Sequence, residues 1–228
     1  MRFPKILIGV VAAAALTAGC GSDDGSGDGD SRPGGAAAEE QNEPSEQEDL
    51  PVAVTGPRPD VLDTDDDALQ PPDEPDSSAD FARKVEHKLR ANVLRSAKVA
   101  GETTATCPDG VTREAGATSR CTVTYDGVEI PYEIVISDSY QEGDFLTQYK
   151  AVPKKGLLVA EAVYDTFWKQ KGEDDPYVEA LTCDEIPAAE AVDLNTDTGH
   201  RCQLRDEYRT TRFTVTMDSF GPAFKPIT

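Results

Sequence analysis

A chain of 228 residues that offers one tryptophan, two methionines and two histidines has little of the material from which most catalytic and metal centres are made. The two histidines, His87 and His200, are far apart in sequence, and no Cys-x-x-Cys pair stands near either, which removes the usual spacing of a zinc site and of a redox dithiol. No Gly-x-Ser-x-Gly elbow presents a nucleophile to a base. Cations are scarce as well, 22 Lys and Arg against 43 acids for a net charge of −21, so the chain has no electrostatic reason to bind nucleic acid. Long apolar runs are missing beyond the N-terminus. The one that exists, Ile6 to Leu16, is shorter than the about 20 residues a bilayer core requires.

What is present begins with that N-terminus. Arg2 and Lys5 form a short positive region, Ile6 to Leu16 an apolar one, and the small residues Thr17-Ala18-Gly19 precede Cys20. The segment resembles the signal and lipobox of bacterial lipoproteins, in which the chain is cut before a cysteine that then carries the lipid. The resemblance implies a signal peptide over 1–19 and lipidation at Cys20, with the mature chain on the outer face of the cytoplasmic membrane. Two or three acyl chains on one cysteine suffice for stable anchoring.

Apart from Cys20 there are Cys107, Cys121, Cys183 and Cys202. An even number in an exported chain points to two disulfides, for which parity leaves three connectivities open.

Charge divides the chain. Gly21 to Ser77 holds 18 acids against Arg32 and Arg58, contains no aromatic residue and is dense in Gly, Pro, Ser, Asp and Glu. Such a composition predicts a disordered acidic stalk over 20–77 that spans on the order of 40 Å as a flexible coil. Its cluster Asp63-Thr-Asp-Asp-Asp67 lacks the glycine turn and fixed ligand spacing of a calcium loop.

The rest of the chain contains an internal repeat. Aligning Arg120-Cys121 with Arg201-Cys202 brings Tyr132 onto Phe213, Ile134 onto Val215 and Ile136 onto Met217. Each half opens with a helical pattern. In the first, Ser77 or Ser78 is a candidate cap and Phe81, Val85, Leu89 and Val93 form the apolar stripe, with Arg83, Lys84, Lys88 and Arg90 on the wet side and His87 off the stripe. In the second, the helix is predicted from Lys155 to about Lys171, with Gly172 as its stop. Alternation follows: Cys121, Val123 and Tyr125 face one way, Asp126-Gly127 turns the chain, and Ile130, Tyr132, Ile134 and Ile136 resume the buried face. A further strand is predicted from Phe145 to Val152. The second half continues with Cys202, Leu204, Thr211, Phe213, Val215 and Met217 inward.

The expected fold is therefore α+β: two tandem repeats, over 78–152 and 153–228, each with one helix on a small antiparallel sheet. If each repeat closes on itself, the bridges are local, Cys107 to Cys121 and Cys183 to Cys202. The first half, through Thr106-Cys107-Pro108, Gly116, Cys121 and Asp126-Gly127, resembles a family of small actinobacterial lipoproteins whose domain has no assigned function. The resemblance implies a location and a fold, and no catalytic residues. The two-repeat architecture is also similar to that of beta-lactamase inhibitory proteins.

The acids Glu173-Asp-Asp175, Glu129 and Glu133 read as solvated faces, and Trp168, Phe167 and Tyr164 as helix core. One pattern carries more. Arg201, Arg205 and Arg212 alternate with buried positions on the wet face of the second repeat. That face suits an anionic wall polymer, an acidic envelope protein or the chain's own stalk. The expected function is a non-catalytic, lipid-anchored binding or structural domain at the cell envelope, with no catalytic residue, metal or cofactor and with the membrane as a partner through the lipid. A protein inhibitor using a sheet face and an unrecognised cell-wall enzyme are the alternatives.

Overall fold

The computed structural model describes residues 48–227. The signal segment 1–19, Cys20 and the earlier part of the expected stalk lie outside the described residues. The later part is not stalk. From residue 48 onward the acidic segment lies along the folded body as a strap: β1 (Val52–Ala53) adds to the edge of β7 (Val178–Cys183), with Val52 opposite Cys183 and Ala53 opposite Thr182. Val54 N–H then donates to the Leu181 carbonyl at 2.8 Å. Further along, a 3-10 turn over Asp67–Leu69 is capped by the Asp66 carboxylate, which accepts from Ala68 N–H at 2.8 Å. Val54, Leu69 and Pro71 are buried. The composition of this segment is too polar to build a core of its own, but a strap needs only a few apolar anchors when the body supplies the rest of the core.

In the first half, α1 (Phe81–Ala97) starts at Asp80, not at Ser77 or Ser78: the Asp80 carboxylate accepts from Arg83 N–H at 2.8 Å. Val85, Leu89 and Val93 are buried as the stripe requires. The helix covers a sheet ordered β2-β3-β4-β5, made of β2 (Thr103–Thr106), β3 (Thr118–Tyr125), β4 (Val128–Ile136) and β5 (Tyr149–Pro153), antiparallel throughout. Asp126 and Gly127 both have positive φ, 45° and 86°, the signature of the tight hairpin between β3 and β4. β5 begins four residues later than the alternation suggested. Phe145 and Leu146 lie in the preceding loop, where the Asp144 carboxylate accepts from Gln141 N–H and closes a turn, and both side chains face solvent.

The second half departs from expectation at its start. Gly156 to Val159 form β6 (Gly156–Val159), paired with β8 (Ala189–Val192), and α2 (Ala160–Lys171) follows directly. All four residues of β6 are buried. A strand covered on both faces has no period of two, and Leu157-Leu158 therefore reads as helix from sequence. α2 ends at Gly172, whose N–H donates to the Trp168 carbonyl. A five-stranded sheet, β1-β7-β9-β10-β11, is completed by β9 (Asp197–Asp206), β10 (Thr210–Asp218) and β11 (Gly221–Pro226).

Disulfides join Cys107 to Cys121 and Cys183 to Cys202, the local pairing expected. The chain is thus mixed α+β, mostly sheet with two helices among the described residues. Each half has a buried cluster, but the first one, around Leu89, Val123 and Ile134, also takes in Leu157, Val159 and Ala162 from the second half. β6 and the start of α2 are shared ground between the halves.

Candidate functional site

Alternation along β9 puts Arg201, Gln203 and Arg205 on the outer face of the five-stranded sheet, and the β10 register sets Arg212 opposite Gln203. The structure engages each of these arginines within the protein. Arg201 makes a bidentate pair with Asp197, Nη1 to Oδ1 at 2.8 Å and Nη2 to Oδ2 at 2.9 Å. That guanidinium, helped by Gly199 N–H, holds the Asp197 carboxyl below its ordinary range. Arg205 Nη1 donates to both oxygens of Asp49, at 2.6 and 2.7 Å, and its Nε lies 3.8 Å from Glu179. The Asp49 contact raises the Arg205 pKa. Arg212 Nε donates to Gln203 Oε1 at 3.0 Å, while Gln203 Nε2 donates to Asp49 Oδ1 at 3.3 Å. Arg212, buried Gln203, Asp49 and Arg205 form one continuous network. Of the three occupants expected for this face, the chain's own acidic segment is the one seated there. Neither Asp49 nor Gln203 stood out in the sequence. Gln203 was legible in principle, lying between Arg201 and Arg205 on the same strand face.

A second anchor of the strap is Arg58. Its backbone N–H donates to buried Asp165 at 3.1 Å, its guanidinium carbon sits 5.0 Å over the Tyr164 ring, and its Nε is 3.6 Å from Glu161. That last distance is an ion pair without a hydrogen bond.

The two histidines stay apart, on α1 and on β9. His200 Nε2 pairs with Glu190 of β8. His87 does not face open solvent as its position off the stripe suggested. It is half-buried in a groove walled by Asp73 and Pro75 of the strap together with Arg83, Glu86 and Arg90, and its Nε2 has no hydrogen-bond partner among the described residues. Arg90 likewise turns from the wet side to bond Thr103 Oγ1. Among the described residues no group of three or more His, Cys, Asp or Glu side chains is placed to hold a metal ion, and Asp63 to Asp67 form no such group.

A larger concavity lies where the halves meet. It encloses about 520 Å³. Ile130 and Tyr132 of β4, Leu157 of β6 and Met217 of β10, all buried in the surrounding structure, supply an apolar floor. Arg95 and Lys98 from the end of α1 stand on one side, Lys155 between β5 and β6 on another, and Phe220, 94% exposed, at the mouth. Lys155 is paired with Asp193 at 2.6 Å, and Asp218 accepts from Phe220 N–H and Gly221 N–H. Arg95 donates only to the Ala91 carbonyl and the Asn92 side chain. Neither it nor Lys98 meets a carboxylate within ion-pair distance among the described residues. Tyr132, 8% exposed, has no hydrogen-bonding protein partner for its hydroxyl among those residues, and burial pushes its pKa up to about 12.

Comparison of the chain with models of protein families, with curated proteins and with solved structures finds no match in any of the three.

Proposed function

We propose that the protein is a non-catalytic binding domain on the outer face of the cytoplasmic membrane, exported through its N-terminal signal and anchored by lipid on Cys20. Its two halves are divergent copies of one helix-and-sheet repeat, and the fold's role is to present a binding surface to the envelope. The observation that carries this reading is the concavity between the halves: an apolar floor, a rim of cations and an exposed aromatic at the mouth are the ingredients of a ligand site. The arginines of the outer sheet face are engaged by Asp197, Asp49 and Gln203, so in this reading Arg205, and Arg212 through Gln203, hold the strap while the concavity receives the partner. Two bridges between close sequence neighbours suit an oxidising compartment.

Two measurements test it. Mass spectrometry of the cell-derived protein should find a mature chain starting at acylated Cys20, and Cys20→Ala should release it from the membrane fraction. A photo-crosslinking residue at Phe220 should capture a specific envelope component on intact cells, while the same residue at Glu129, on the β3–β4 hairpin, should not. An unacylated chain or equal capture at both positions would sink the reading.

A further inference from the structure

The concavity between the halves combines three features that point to one ligand chemistry. Its floor is apolar, and transfer of hydrocarbon onto such a surface is favourable by about 25 cal/mol per Å². Two cations, Arg95 and Lys98, stand over it without carboxylate partners, in a chain where acids outnumber bases by nearly two to one. Finally, the ring of Tyr132 is buried while its hydroxyl lines the same space, with no protein hydrogen-bond partner among the described residues. A hydroxyl that the protein leaves free at the groove surface can donate to a ligand oxygen there.

Resting on the binding role proposed above, we propose that this groove takes a small amphiphile with a single anionic head, its apolar body on Ile130, Leu157 and Met217 and its head group among Arg95, Lys98 and the Tyr132 hydroxyl. Phe220 closes over the apolar body from the mouth. Asp218 also lines the groove and keeps its negative charge, since the two backbone N–H groups that donate to its Oδ1, at 2.6 and 3.1 Å, are neutral; the head therefore belongs on the α1 side, by Arg95 and Lys98. The protein's overall charge of −21 repels any anion at long range, so selectivity for a negative head must come from these two cations at short range, where screening is weakest.

That opposition between global and local charge supplies the test. The full chain carrying Cys20→Ser, which has no acyl group to compete, is titrated calorimetrically with decanoate and with decyltrimethylammonium, both below micelle-forming concentrations. The two probes share an apolar body and differ in head charge. Decanoate should bind about tenfold or more tightly than the cation, a difference of about 1.4 kcal/mol. Arg95→Glu combined with Lys98→Glu should reverse that preference, with circular dichroism checking that the variant stays folded despite the lost contacts of Arg95 to Ala91 and Asn92. Tyr132→Phe should weaken decanoate severalfold and leave the cationic probe unchanged. Ala151→Trp, on the groove wall, should abolish binding of both. No decanoate binding, equal affinity for the two heads, or affinities indifferent to the double charge reversal and to Ala151→Trp would each overturn the proposal. Specific capture at Phe220 alongside such a result would leave a binding domain whose ligand is of another class.

Discussion

Tyr125 and Tyr132 keep their protons past the ordinary phenol range, each with a pKa pushed up to about 12. For Tyr125 the cause is burial and then the neighbouring Asp126 carboxylate; for Tyr132 it is burial. Because the folded-state values lie above the unfolded value of about 10, the unfolded chain loses these protons first. Stability from these groups is complete below about pH 10 and is lost as pH rises from there through about 12. Urea midpoints measured across pH 8 to 12 should therefore hold steady and then fall in that window, and ultraviolet titration of phenolate should show late-titrating tyrosines whose number drops by one in Tyr132→Phe. A third residue acts through hydrogen bonds. Asp165, buried on α2, accepts from Arg58 N–H and holds Lys169 Nζ at 2.8 Å, which raises the Lys169 pKa. Asp165→Ala leaves a strap N–H without its partner and should cost about 1–3 kcal/mol in urea unfolding. A loss well below that would mean that Arg58 does not hold the strap down.

At the scale of elements, the strap is where structure and sequence part. Leu69, at the end of the 3-10 turn, is fully buried against the first cluster. Leu69→Ala should cost about 2–5 kcal/mol, as for any large core side chain, whereas in a free stalk it would cost nothing. Chemical denaturation separates the two outcomes. The strap was illegible because its few anchors, Val54, Leu69 and Pro71, follow no helical or strand period and sit among acids that dominate the average composition. β6 was hidden for the opposite reason: every one of its residues is buried, so Leu157-Leu158 carries no alternation to distinguish strand from helix. Elements with one wet face were legible in kind, though not in their bounds: α1 is capped by Asp80 and β5 starts at Tyr149. The α1 stripe, the β3–β4 hairpin with its Asp126-Gly127 turn and the local disulfides all rest on patterns that solvent exposure on one side makes visible. The hairpin turn is itself testable, since Gly127→Val puts a β-branched residue at φ 86° and should destabilise the fold by about 1–3 kcal/mol, judged by thermal unfolding. Alternation along β9 relates Arg201 to Arg205, and the register sets Arg212 opposite Gln203. What alternation does not encode is the long-range partner of Arg205, Asp49, more than 150 positions away in sequence. The groove was beyond reach for the same reason, its walls coming from α1, β4, β6 and β10.

For the whole molecule the question is whether two halves with a bridge each behave as two bodies or one. Leu157, Val159 and Ala162 belong to the second half by sequence but are packed into the first cluster, and the strap runs from the edge of β7 to the underside of the first core. Loss of either core would strip partners from the other, which makes unfolding cooperative across the halves. Trp168 is the only tryptophan, and it packs against the second cluster, so its fluorescence reports the second half alone. Removing the first-half bridge by Cys107→Ser with Cys121→Ser opens a loop in the unfolded chain and should cost about 3 kcal/mol on the chain-entropy account. If the halves are one body, that change must lower the urea midpoint seen by Trp168, far from the altered bridge in sequence, and the midpoint must coincide with that from circular dichroism. An unmoved Trp168 transition beside a weakened circular dichroism signal would show two independent bodies. A groove built from both would then close and open with their separation, and decanoate would no longer raise the Trp168 midpoint in step with its affinity.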